Sequence, residues 1–148
     1  IRSMLEYGAA VWDPHLRKDI DSLERIQRRA ARWIEEDYNT RASVTQMMKK
    51  LDLDPLQDRR QAARLTVLFK VMHDLVNVPP DDFDFKPAYG KTRASHSLKL
   101  HHLQPSTKEH RNSFATRTIP EWNRLPACVA EAGSFDIFKN QLAALATV

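Results

Sequence analysis

The chain of 148 residues has one cysteine, Cys128. A single thiol excludes an internal disulfide and a cysteine-based zinc site, and it points to a reducing compartment, nucleus or cytoplasm. Glycine is scarce as well, with Gly8, Gly90 and Gly133 the only three. Tight hairpins have few places to form, and there is neither a P-loop nor a Rossmann fingerprint, so the balance tips from sheet to helix. No apolar run approaches the roughly 20 residues that span a bilayer, and no membrane partner is expected. Ile1 opens in mid-pattern with neither an initiator methionine nor a signal-peptide pattern, so the chain reads as part of something longer.

What is present is an ordinary soluble composition with a basic bias. A hydrophobic share of 42% and a charged share of 28% fit a chain able to build its own core. The net charge of +4 fits a polyanion partner without demanding one. The surplus is concentrated. Between Lys86 and Arg124, Lys86, Lys91, Arg93, Lys99, Lys108, Arg111, Arg117 and Arg124 are opposed only by Glu109 and Glu121, a local excess of +6.

Periodicity predicts a mainly α fold. Ile1, Met4, Leu5, Gly8, Val11 and Trp12 share one face of a first, core-facing helix. Asp13-Pro14 is a start signal for a second helix, from about Pro14 to Glu36. Its apolar stripe is Leu16, Ile20, Leu23, Ile26, Ala30, Trp33 and Ile34. At about 100° per residue, Arg28, Arg29 and Arg32 lie within about 60° of Arg25, while Leu23, Ala30 and Ile34 lie about 140–180° away. The four arginines of "ERIQRRAARWI" therefore form a ridge opposite the predicted buried face. Asp21 and Glu24 are placed to pair with Arg25 and Arg28 one turn on. The ridge is a solvated face, a phosphate-tracking surface or a protein contact; arginine at all four positions leans toward bidentate recognition of phosphate or carboxylate.

Ser43 with Gln46 makes a possible capping box before Val44, Met47, Met48 and Leu51. Asp54-Pro55 repeats the start signal for a helix reaching about Leu75, whose middle, "LTVLFKVM", is apolar nearly all round and whose first turns hold Arg59, Arg60 and Arg64. Residues 79–112 then read as a proline-containing basic loop region, with "SLKLHHL" alternating weakly as a short strand would. Thr118 to Glu121 forms a third candidate capping box, and Gly133-Ser134 ends one short helix and caps the last, striped by Phe135, Phe138, Leu142 and Leu145. The chain divides as a helical segment 1–78, the basic loop region 79–112 and a C-terminal helical segment 113–148.

Considered alone, the sequence shows no catalytic site. Asp81-Asp82 follows Pro79-Pro80 in a loop and lacks the hairpin that aims paired carboxylates at Mg²⁺. His96, His101, His102 and His110 lack the spacing of a helical metal pair and have no cysteine beside them, so surface or phosphate-facing roles suit them better. Cys128 has no identifiable base or oxyanion hole. Phe114 and Trp122, interleaved in the second basic region, either stack bases or pack the core.

The string "LEYGAAVWDPHLRKDIDSLERIQRRAARWI" resembles the segment just after the catalytic palm in reverse transcriptases of non-LTR (LINE-type) retrotransposons. Leu5, Glu6, Tyr7, Val11, Trp12, Pro14, Leu23, Glu24, Gln27, Arg28, Arg29 and Ala30 carry it, and it continues in "KTRASHSLKL" and "RNSFATRTIPEWNRLP…SFDIFKNQL". "ATRTIP" departs from the commoner aromatic-Pro-Arg version after Ser-Phe. The resemblance implies that 1–78 is a thumb-like bundle in a fragment of an RNA-directed DNA polymerase. The palm, its Asp-Asp hairpin and its Mg²⁺ would lie upstream, so no cofactor and no catalysis are expected in this chain. It also implies RNA, DNA or an RNA–DNA hybrid as partner, held by phosphate contacts from Arg25, Arg28, Arg29 and Arg32 and from Lys91, Arg93, Arg111 and Arg117, with the upstream polymerase domain as a second partner. The alternative is a captured fragment that serves as a helical protein-interaction module or does nothing. In that case the arginine ridge is covered by intramolecular acids or by a partner helix.

Overall fold

The computed structural model describes residues 2–78, 85–88 and 96–146 and is mainly α-helical. It separates into two compact units, residues 1–61 and 62–148. The division falls within one long helix; the boundary expected at residue 79, like Asp81-Asp82, lies outside the described residues.

In the first unit, α1 (Arg2–Glu6) and α2 (Ala9–Trp12) replace the single expected helix. Gly8 interrupts it by adopting the left-handed conformation (φ 59°), which glycine tolerates without steric cost. Leu5 and Ala9 face inward, whereas Met4, Val11 and Trp12 are exposed. Helix α3 (Arg17–Ile34) starts three residues later than Asp13-Pro14 suggests. The residue before a proline is driven to extended backbone, and Asp13 caps the end of α2 in that conformation (ψ 113°). The Leu16 carbonyl then accepts the first helical bonds, from Asp19 and Ile20.

The face that α3 buries lies opposite the arginine ridge, as expected, but only part of the expected stripe is covered, with Ala30 buried and Ile20 and Leu23 half-buried. Gln27, Ala30 and Ala31 are buried, whereas Leu16, Ile26, Trp33 and Ile34 are exposed. Small residues at 30 and 31 admit α4 (Val44–Lys50), and Ala31 packs with Met47 and Met48. The Ser43 hydroxyl caps α4 by accepting the Gln46 N–H. Helix α5 (Leu56–Met72) draws its N-terminal carboxylate from a distance: Glu24 Oε2 accepts the Leu56 N–H at 2.9 Å.

The second unit gathers Leu65, Leu68, Phe69 and Val71 of α5 into a core with Trp122 and Phe138. It contains α6 (Lys108–Arg111), α7 (Phe114–Trp122), α8 (Ala127–Ala130) and α9 (Phe135–Ala146). Where a strand is expected there is an isolated antiparallel bridge between Pro87 and Leu100. Asn123 continues the pairing on the other side of Leu100, accepting its N–H and donating to its carbonyl. Thr118 does not cap a helix. It lies inside α7, which begins after Ser113, and its hydroxyl donates to the Phe114 carbonyl at 2.6 Å. Ser134 caps α9 as expected, its hydroxyl accepting the Ile137 N–H.

Candidate nucleic-acid interface

Helix α3 sets out the arginines as its period dictates, but they are not equivalent. Arg25, Arg28 and Arg29 are exposed, and among the described residues none of them has a hydrogen bond or an ion pair. Arg32 is half-buried and turned to local use. Its guanidinium donates to the carbonyls of Asn39 at 2.9 Å and, more loosely, of Asp37 and Ala42, pinning the connection to α4.

The acids expected to neutralise the ridge are engaged elsewhere. Asp21 pairs with Arg17 at 3.1 Å, and Glu24 caps α5. Gln27, one turn further on, donates to the Asp54 carbonyl at 2.9 Å and accepts from Arg59, which also pairs with Glu6. Glu24, Gln27 and Ala30 thus each have an internal task, while Arg28 and Arg29 between them have none. The first unit therefore carries three uncompensated positive charges on one exposed helix face, an arrangement suited to an anion.

In the second basic region, Lys91 and Arg93 lie outside the described residues. Arg111, at the end of α6, is exposed, and Arg117 on α7 is half-buried. Phe114 and Trp122 belong to the core, and Trp122 is fully buried with its indole N–H on the Leu98 carbonyl at 2.8 Å. His101, His102 and His110 are exposed and Cys128 is a free, exposed thiol. Among the described residues no cluster of side chains could hold a metal ion, and no helix is long and apolar enough to cross a membrane.

Two groups of functional interest escape a reading of the sequence. The first is a set of buried arginines. Arg60, 2% exposed, donates to the Leu5 carbonyl, lies over the Trp12 ring at 3.8 Å and faces Asp13 at 3.7 Å. Burial pulls its pKa down and Asp13 opposes the shift. Arg64 places one terminal nitrogen between both oxygens of Glu121, at 2.7 and 2.8 Å. These guanidiniums hold the fold and are not offered to a ligand. The second group is the end of α3, where Trp33, Ile34, Glu36 and Tyr38 line an open cavity of about 690 Å³. Trp33, a member of the apolar stripe, is 67% exposed, and Tyr38 64%.

No family model, curated protein or solved structure matches the chain.

Proposed function

We propose that the chain is a thumb-like, non-catalytic part of a LINE-type reverse transcriptase that grips a nucleic-acid duplex through phosphate contacts from α3. The observation that carries this reading is the division of labour within "LERIQRRA". Glu24 caps α5, Gln27 bridges to Asp54 and Arg59, and Ala30 is buried, so Arg28 and Arg29, with Arg25 one turn before, are what remains for a partner. Such a grip ignores sequence and lets a duplex slide, as processive synthesis requires. Hybrid duplexes suit it because they are held by backbone and shape and not by base edges.

Arg32 is withdrawn from the gripping set by its bonds to the 37–42 turn. The test is binding of a labelled RNA–DNA hybrid across a salt titration. Changing Arg25, Arg28 and Arg29 to Gln is expected to weaken binding and to flatten the log K against log salt slope by about one per lost phosphate contact. Arg32→Gln is expected to lower thermal stability and leave the slope near that of the wild type. Equal binding by the triple variant and the wild type would sink the reading and favour a protein-facing helix.

A further inference from the structure

We propose that the cavity at the end of α3 is a stacking site for one unpaired base of a single-stranded extension, with guanine preferred. The proposal rests on the phosphate-grip reading and names what lies beyond the duplex. Arg25, Arg29 and Trp33 follow one another at four-residue spacing, so they run along one flank of α3, each about 5–6 Å from the next at Cβ. A strand whose phosphates follow the two arginines is thereby led to an exposed indole. Both aromatic walls of the cavity, Trp33 and Tyr38, present ring surface to solvent. Exposed aromatic rings beside cationic side chains are the recurrent means of holding unpaired nucleotides, with the base stacked and the backbone neutralised.

Glu36 supplies the choice of base. Glu36 lines the same cavity and, among the described residues, its carboxylate has no hydrogen bond or ion pair. An ionised carboxylate only accepts hydrogen bonds. Guanine sets two adjacent donors, N1–H and the N2 amino group, along its pairing edge, where a carboxylate takes both. Adenine, cytosine and uracil each place an acceptor beside their donor and repel one carboxylate oxygen. Glu36 is held there in the left-handed conformation (φ 53°), at the end of the helix whose arginines face solvent. Charge complementarity thus selects the occupant: cations along the flank for the phosphates, an acceptor at its end for the base.

The experiment compares a blunt RNA–DNA hybrid with the same hybrid carrying a five-nucleotide extension, UUGUU or UUAUU. Anisotropy gives affinity and tryptophan emission reports stacking. The G-containing extension is expected to tighten binding about tenfold over the blunt duplex and to quench emission. Trp33→Ala removes that gain, Trp33→Phe keeps most of it, and Glu36→Gln makes the two extensions equal; all three variants bind the blunt duplex as the wild type does. An extension that adds nothing, or a gain that survives Trp33→Ala, overturns the base site, while arginine-dependent binding of the blunt duplex keeps the grip. A Trp33-dependent G preference with no blunt-duplex binding overturns the grip and keeps the base site. Concentration-dependent dimerisation abolished by Trp33→Ala, without quenching by either extension, assigns the face to a second copy and overturns the proposal.

Discussion

In residues 62–148 the largest side chains are the best buried; in residues 1–61 they are among the most exposed. Trp122, Phe69 and Phe138 are almost wholly inaccessible, with Phe69 stacked on Phe138 at 4.2 Å between ring centroids. The first unit leaves Met4, Tyr7, Val11, Trp12, Trp33 and Tyr38 in solvent and buries Leu5, Ala9, Ala30, Ala31, Met47, Met48 and Leu56 together with Gln27 and Arg60. Its distant segments are joined by side-chain polar bonds: Glu24 to Leu56, Gln27 to Asp54, Arg59 to Glu6 and Gln27, and Arg60 to the Leu5 carbonyl. The second unit resembles the interior of an ordinary domain, close-packed and apolar. The first has a smaller apolar cluster tied to polar bonds between distant segments, and it presents Arg25, Arg28, Arg29, Trp33 and Tyr38 outward, as a binding surface does.

The largest test of this contrast substitutes the same residue type in each unit. Trp122→Ala removes a fully buried indole and the bond to Leu98, and is expected to cost about 3–5 kcal/mol, a large part of a domain's usual stability. Trp33→Ala, at a site open to water, is expected to change stability by about 0.5 kcal/mol or less. Urea denaturation of both variants measures the two effects side by side. A Trp33 cost approaching that of Trp122 would mean that the Trp33 indole is packed into the first unit, and the contrast would be lost.

The same contrast explains what the sequence could and could not tell. Helices were legible where apolar period and cap agree, as at Ser43 before α4 and Ser134 before α9. The burial along α3 was legible only in part: its buried residues lie opposite the arginine ridge, as helical spacing predicts, but hydrophobicity alone does not show that Gln27 and Ala31 are covered while Ile26, Trp33 and Ile34 stay in solvent. The four arginines were legible as a ridge, since that needs only helical spacing. The withdrawal of Arg32 and the openness of Trp33 were not, because they depend on where residues 37–42 run. The burial of Arg60 and Arg64 and the pairing of Arg59 could not be read from the first turns of α5 for a similar reason: their acids, Asp13, Glu121 and Glu6, are remote in the chain.

A smaller effect, confined to the second unit, follows from His96. The ring is buried, its Nε2 donates to the Trp122 carbonyl at 3.1 Å, and Nδ1 has no hydrogen-bond partner. A second proton would sit on that orphaned nitrogen, and burial accordingly holds the imidazole pKa below its ordinary 6.5. Above 6.5 the ring is neutral in both folded and unfolded chains and folding is unaffected by pH through this group. Below it the unfolded chain takes up the proton first, so stability falls as pH drops from 6.5 toward the lower folded value. Glu131, held below its ordinary 4.5 chiefly by the Ser97 backbone N–H, adds a loss of the same sign only in more acidic solution. Denaturation midpoints between pH 7.5 and 5 are expected to decline for the wild type and to stay level for His96→Gln. Parallel declines would show that the titrating group lies elsewhere.

The smallest effect concerns how a chain so poor in glycine ends its helices. After α3, α4 and α5 the backbone turns through a left-handed residue: Glu36 (φ 53°), Asp52 (φ 52°) and Asp74 (φ 52°). In each case the following N–H returns to a carbonyl of the last turn, from Asp37 to Arg32, Leu53 to Met48 and Leu75 to Lys70, the closure usually made with glycine. Aspartate visits this region more readily than most residues, so Glu36 bears the greatest strain of the three. Replacing it with glycine relieves about 1–2 kcal/mol of left-handed strain and returns about 0.5–1 kcal/mol through the looser unfolded chain. A net gain of about 0.5–1 kcal/mol is expected for Glu36→Gly, and less for Asp52→Gly and Asp74→Gly, read from denaturation midpoints. If Glu36→Gly is stabilising and also erases the preference for a guanine-containing extension, the strained conformation is kept at a cost in stability by what the carboxylate binds. If it destabilises the chain, Glu36 makes a contribution to the first unit that its exposed position does not reveal, and its role in the cavity is structural.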